Sequence, residues 1–206
     1  MFIKIQNYCE KLSGEFDKIS PERKTILKPL SDYIQVQIDT QKSINLLFVC
    51  THNSRRSHFG QIWASVAATF FGIQNVSTFS GGTETTRFNK NAIAALISLD
   101  FEISSDVDNK NPIFNLRFTE NQTIRCFSKR FDDAVNPTDN FAAIMTCADA
   151  EQNCPLILGA DKRFGICYDD PKAFDDTPLQ AEKYLERCEQ IALEMLFVFS
   201  NCQPYK

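Results

Sequence analysis

From Phe2 to Phe16 apolar residues recur at steps of three and four, at Phe2, Ile5, Cys9, Leu12 and Phe16, the period of one helix face. A second helix is expected from Ser20, where Ser20-Pro21-Glu22 supplies an N-cap hydroxyl, a proline at the first helical position and an acid in the first turn. Its stripe runs Ile26, Leu27, Leu30, Tyr33 and Ile34, with Pro29 placed to kink or interrupt it. The pattern then changes. Ile44–Cys50, INLLFVC, is short and almost wholly apolar, as in a central strand covered on both faces. Helical spacing resumes over residues 57–71, followed by a strand over 76–80, a Gly81-Gly82 turn and an alanine- and isoleucine-rich helix over 89–98.

Residues 105–140 break this rhythm. Two apolar stretches, PIFNLRF and TIRCFSKRF, flank the polar turn Thr119-Glu120-Asn121-Gln122 and read as an inserted hairpin or extended loop. Residues 141–147, FAAIMTC, form another buried-strand candidate, and GICYDDP at 165–171 supplies one more strand or loop. A last helix over 179–199 carries Tyr184, Cys188, Ile191, Met195 and Val198 on one face. Strands alternating with helices imply a parallel sheet flanked by helices, with ligands beyond the carboxyl ends of the strands. We expect an N-terminal helical extension over 1–42, packed on the core or on a partner subunit, and one α/β catalytic domain over 43–206 that contains the insertion.

With 206 residues, 43% of them hydrophobic, the chain can bury one sizeable core. A net charge of -4 argues against a general nucleic-acid or anionic-membrane binder. No apolar run approaches the ~20 residues needed to span a bilayer, and the polar, acid-containing start is unlike a signal peptide, so a cytoplasmic protein is expected. Eight cysteines in a reducing compartment should be thiols, some of them buried fillers and some reactive.

The stretch Cys50-Thr51-His52-Asn53-Ser54-Arg55-Arg56-Ser57 joins a buried strand to a helix. Backbone amides of a tight loop, together with the positive end of the following helix, make a nest for a tetrahedral dianion. The same field favours the nucleophilic thiolate of Cys50. Arg56 can grip two oxygens with its planar fork, Ser57 can hydrogen-bond the sulfur, and Asn53 can hold a left-handed turn. His52 either contacts a ligand or sits at the rim. A lone cysteine here would read as a small filler; Cys-x5-Arg-Ser between strand and helix reads as an oxyanion site.

This signature resembles that of the low-molecular-weight protein tyrosine phosphatase superfamily, over about residues 44–199. The resemblance implies a four-stranded parallel sheet with helices on both faces, and a general acid in an Asp-Pro pair, matched by Asp170-Pro171, with Asp169 as the alternative acid or a hydrogen-bonding partner. The chain departs from the family at His52, where glycine is common, and at Lys172, where the phosphatases usually carry tyrosine. Cys147-Ala-Asp-Ala-Glu-Gln-Asn-Cys154, with Ser80-Gly-Gly-Thr-Glu84 and Asp169-Asp-Pro171, resembles the thioredoxin-coupled arsenate reductase branch. That resemblance implies reduction of arsenate to arsenite: Cys50 attacks arsenate, Cys147 attacks the adduct, and Cys154 resolves the resulting disulfide. No bound cofactor is implied, only an external thiol donor such as thioredoxin. On a helix, seven residue steps separate the Cα atoms of Cys147 and Cys154 by about 10.5 Å, beyond the roughly 4.4–6.8 Å of a disulfide, so the segment would have to unwind. The alternative activity is hydrolysis of phosphotyrosine or a small phosphoester, with Cys50 as nucleophile and Asp170 as acid. The histidines are remote from the cysteine pair in sequence, so no local Cys/His metal set is expected. Cys9, Cys126, Cys167, Cys188 and Cys202 read as structural.

Overall fold

The computed structural model describes residues 1–105, 109–153 and 156–204. Helix α1 (Ile3–Ser13) and α2 (Pro21–Asp39) precede strand β1 (Ile44–Cys50). Then follow α3 (Arg56–Phe70), β2 (Val76–Gly82), α4 (Lys90–Ser98), β3 (Glu102–Ser105), β4 (Phe114–Arg117) and β5 (Thr123–Cys126). The chain continues through β6 (Phe141–Met145), α5 (Ala148–Asn153), β7 (Ala160–Gly165) and α6 (Gln180–Ser200).

The main sheet is parallel with order β2-β1-β6-β7. Because side chains alternate across a strand, β1 serves two cores at once. Ile44, Leu46 and Phe48 face a large cluster with Trp63 of α3, Leu27 and Leu30 of α2, and Tyr184 and Met195 of α6. Leu47, Val49 and Cys50 face a smaller cluster with Phe141, Met145, Cys147 and Ala150 of α5. The apolar continuity of INLLFVC is thus the signature of burial on both faces. Gly60 lets α3 lie close on this sheet: a Cβ there would stand 2.3 Å from the Phe48 ring.

Ser20 caps α2 as its sequence predicts, its Oγ accepting from Arg23 N at 3.2 Å. Pro29 lies inside a helix that runs unbroken from Pro21 to Asp39, and Ile26, assigned to the apolar stripe, is exposed. Both helices of the extension pack on the core, burying Ile5, Cys9, Leu12, Leu27, Leu30 and Ile34.

Of three other expectations, one is corrected and two are completed. The Gly81-Gly82 pair is no turn; it ends β2, with Gly82 opposite Cys50, because both glycines admit backbone that a side chain would exclude. A Cβ on Gly81 would lie 2.4 Å from Phe131 Cα, and one on Gly82 would lie 2.7 Å from Asn53 N. The fourth strand is Ala160–Gly165, ahead of the GICYDDP segment; as an edge strand it exposes Asp161, Lys162 and Arg163 and carries no apolar pattern. The insertion is more than a hairpin: β4 and β5 pair as expected, and β3 joins them in a second, antiparallel sheet of order β3-β4-β5.

Candidate active site

In the main sheet β1 connects onward to β2 on one side while β6 lies on its other side. The crevice at such a switch point, beyond the carboxyl ends of the strands, is where open α/β sheets hold ligands. The Cys50–Ser57 loop leaves β1 there, and Cys147 follows β6 beside it. Thr146 bonds back to β1 through its N and its Oγ1, at 2.7 and 2.9 Å from Val49 O, which fixes the two strand ends side by side.

Within the loop, Asn53 adopts φ 43°, the left-handed turn expected of it. Its buried amide donates to Ser57 Oγ at 2.9 Å and accepts from Lys129 N at 2.9 Å. Ser57 Oγ in turn stands 3.1 Å from Cys50 Sγ. Cys50 is buried except for its face on a small pocket, lined also by His52, Ser54, Arg55, Arg56 and Asp170. No side chain of Arg55 caps α3, which leaves the positive end of that helix directed at the loop.

Arg56 is buried, and its fork is engaged: Nη1 donates to Tyr168 O at 2.8 Å and Nη2 to Asp170 Oδ2 at 2.7 Å, while its Nε is buried without a partner among the described residues. Asp170 therefore faces the pocket. Asp169 is almost fully exposed and pairs with Arg187 at 3.5 Å. Asp170 also opens the 3₁₀ turn Pro171–Phe174, accepting from Lys172 N at 3.0 Å, so the Asp-Pro pair sets the carboxylate's position.

The remaining loop residues diverge. His52 lies at the rim, its Nε2 3.4 Å from Glu84. Ser54 Oγ is tied to Arg87 O at 2.7 Å. Arg55 lines the pocket, but its Nε donates to Tyr184 OH at 2.8 Å and its Nη2 reaches Asp175 at 3.5 Å, which holds it toward α6. Thr51 turns away from the pocket to donate to Asp149 at 2.7 Å, with its Oγ1 3.5 Å from Cys147 Sγ. Cys147 is buried against this loop, whereas Cys154 lies outside the described residues. Among the described residues no cluster of His, Cys, Asp and Glu is arranged to hold a metal ion, and no helix is long and apolar enough to cross a membrane.

Sequence reasoning missed the bracing of this loop by the end of the insertion. Ser128 Oγ donates to His52 O at 2.9 Å, Lys129 N reaches Asn53, and Gly82 exchanges backbone bonds with Lys129 and Phe131 at 2.9 Å each. These partners lie 76 positions from the loop residues they hold, and no local pattern announces them. Asp149 carried a weak signal only as a polar residue after Cys147. Burial, reinforced by the nearby Lys129 charge, pulls His58 in the first turn of α3 down to about 3. It is a neutral packing residue on the Phe88 ring, 4.1 Å between centroids.

No protein-family model matches the chain. Arsenate reductase 2 of Staphylococcus saprophyticus is 26% identical over 126 residues, spanning 61% of this chain and 77% of that protein. A mutant of YwlE from Bacillus subtilis superposes with a TM-score of 0.51 at 14% identity, covering 77% of this chain and 97% of its own. A low-molecular-weight phosphotyrosine phosphatase from Vibrio cholerae O395 aligns with a TM-score of 0.49 at 13% identity, over 76% of this chain and 94% of its own. The four-stranded parallel sheet with helices on both faces is the fold that the chain shares with YwlE. In sequence the chain is similar to an arsenate reductase.

Proposed function

We propose that this protein reduces arsenate to arsenite with electrons drawn from thiols. The observation that carries this reading is the position of Cys147: its sulfur is buried 3.5 Å from Thr51 Oγ1, on the residue next to Cys50, and both sulfurs belong to one apolar cluster. Reduction of As(V) requires a second sulfur near the nucleophile, and Cys147 stands beside the oxyanion loop. The small pocket supports the same substrate, since it suits a bare tetrahedral oxyanion better than an aromatic ester, and the exposed Lys172 offers no ring to stack one.

In this mechanism Arg56 and the loop amides bind arsenate, and the Cys50 thiolate displaces an arsenate oxygen, which leaves as water. Cys147 as thiolate then attacks Cys50 Sγ; the S–As bond breaks toward arsenic, and arsenite leaves with the electron pair. The enzyme is left with a Cys50–Cys147 disulfide. A third cysteine, the place that the sequence resemblance gives to Cys154, attacks Cys147 and frees Cys50, and an external dithiol of the thioredoxin kind restores the oxidised pair with two electrons and two protons. No bound cofactor takes part.

The specific observation favouring a second reading is Asp170, 2.7 Å from Arg56 at the pocket. A phosphatase needs an acid there to protonate the leaving oxygen. The deciding experiment couples arsenate to NADPH oxidation through thioredoxin and its reductase, for the wild type, Cys147→Ser and Cys154→Ser, beside hydrolysis of p-nitrophenyl phosphate. Arsenate turnover lost in Cys147→Ser with hydrolysis retained establishes the reductase, and Cys154→Ser shows whether Cys154 is the third cysteine of the relay. Hydrolysis with no arsenate turnover in the wild type leaves the phosphatase.

A further inference from the structure

Beyond the thiols of the proposed relay, Cys167 is the cysteine whose surroundings carry chemistry. Cys9, Cys126, Cys188 and Cys202 are buried in the main apolar cluster. Cys167 is partly exposed, and its Sγ lies 3.0 Å from Glu151 Oε2, placed to donate to the carboxylate.

Cys167 also lies beside Cys147. Past the last paired residues of β6 and β7, Met145 and Gly165, Ile166 N donates to Met145 O at 3.0 Å and Tyr168 N to Thr146 O at 3.1 Å. These bonds carry the pairing beyond the strands and bring the Cys147 backbone alongside Cys167 and Tyr168. Neighbouring strands run about 4.8 Å apart, inside the roughly 4.4–6.8 Å between Cα atoms that a disulfide spans. The two cysteines meet the same turn of α5: Cys147 Sγ accepts from Ala150 N at 3.4 Å and Cys147 O from Glu151 N at 3.0 Å, while Glu151 holds Cys167. Burial first, then the Glu151 bond and charge, with a smaller contribution from Cys147 itself, push the Cys167 thiol up to about 12. Cys167 therefore stays protonated until a base takes its proton, and the carboxylate in hydrogen-bonding contact is that base.

We propose that Cys167 is a resolving cysteine, forming a redox pair with Cys147 while Glu151 accepts its proton. The role rests on the reductase reading. Once arsenite has left, the Cys167 proton passes to Glu151, the thiolate attacks Cys147 Sγ, the Cys147–Cys167 bond forms, and Cys50 departs as thiolate. This is an exchange with no net electron transfer. An external dithiol then reduces the new bridge, supplying two electrons and two protons, and Cys167, the more exposed sulfur, is the one it attacks. This closure leaves α5 wound, since neither Cys147 nor Cys167 lies within it.

The test has two arms. The full chain is oxidised with diamide in one arm, and with a single equivalent of arsenate and no reductant in the other; free thiols are then blocked and disulfide-linked peptides mapped by mass spectrometry. A peptide pair joined through Cys147 and Cys167 is expected in both arms. Cys167→Ser should release arsenite once, stop as the Cys50–Cys147 disulfide, and lose at least tenfold in multiple turnover with thioredoxin. Glu151→Gln should slow formation of the bridge, and Cys154→Ser should keep turning over. The proposal is overturned by the absence of a Cys147–Cys167 bridge under diamide, or by wild-type turnover in Cys167→Ser. If the wild type releases no arsenite, the reductase reading falls and the diamide arm alone decides whether the pair exists.

Discussion

Asn53 does the most with the least. It alone in the loop combines a positive φ with two side-chain bonds, one to Ser57 Oγ and one from Lys129 N. Asn53→Ala removes the donor that orients Ser57 toward Cys50 and leaves Lys129 N unpaired in a buried site, a loss of about 1–3 kcal/mol. The expected outcome is a kcat for p-nitrophenyl phosphate lowered by tenfold or more with KM little changed, measured beside a thermal melt. Asp170 offers a sharper division. Asp170→Asn should slow hydrolysis of phosphotyrosine by roughly 10²–10⁴-fold, and that of p-nitrophenyl phosphate less, since its leaving group needs little protonation. Single-turnover arsenite release should survive. His58 predicts a pH dependence of stability. Burial holds its folded-state value near 3 against an ordinary 6.5, so between these values the unfolded chain binds the extra proton and stability falls as pH drops below about 6.5, by about 1.4 kcal/mol per unit. Urea unfolding at about pH 5 should therefore give about 2 kcal/mol less from this group than at about pH 7.5. His58→Gln should shrink that difference.

At the scale of elements, legibility followed burial. β1 and β6 were readable because burial on both faces left their apolar runs uninterrupted, and α2 because Ser20-Pro21 writes a helix start into local sequence. β7 was not readable, since an edge strand with Asp161, Lys162 and Arg163 in solvent has no periodicity to show. Gly81-Gly82 was misread because the same dipeptide marks a turn or a close backbone approach, and only the distant Phe131 and Asn53 decide between them. The chemistry of the site was legible wherever one short segment holds it, as Cys50 through Ser57 do. Its bracing by Ser128 and Lys129 was not. Gly82→Ala tests the close approach directly: the added methyl would meet Asn53 N at 2.7 Å and Thr51 O at 2.8 Å. Overpacking of this kind removes about 1–3 kcal/mol, a fall in Tm of roughly 2–4 °C per kcal/mol for a chain of this size. Phosphate affinity should drop with it.

Across the whole molecule, α1 and α2 share a single core with α3 and α6. Arg23 of α2 makes a bidentate pair with the buried Glu194 of α6, at 2.9 and 2.8 Å. Arg23→Ala strands that carboxylate and should remove about 3–5 kcal/mol, whereas replacing both partners with methionine should return the melting temperature close to that of the wild type. The same guanidinium lies 4.8 Å over the Tyr168 ring, and the Tyr168 carbonyl receives Arg56 at 2.8 Å. Mechanically, Arg23 is the pin through which α2 reaches the site. A displacement of that helix crosses a single residue before it reaches the arginine that grips the oxyanion, so the helices standing furthest from the chemistry in sequence are its shortest lever.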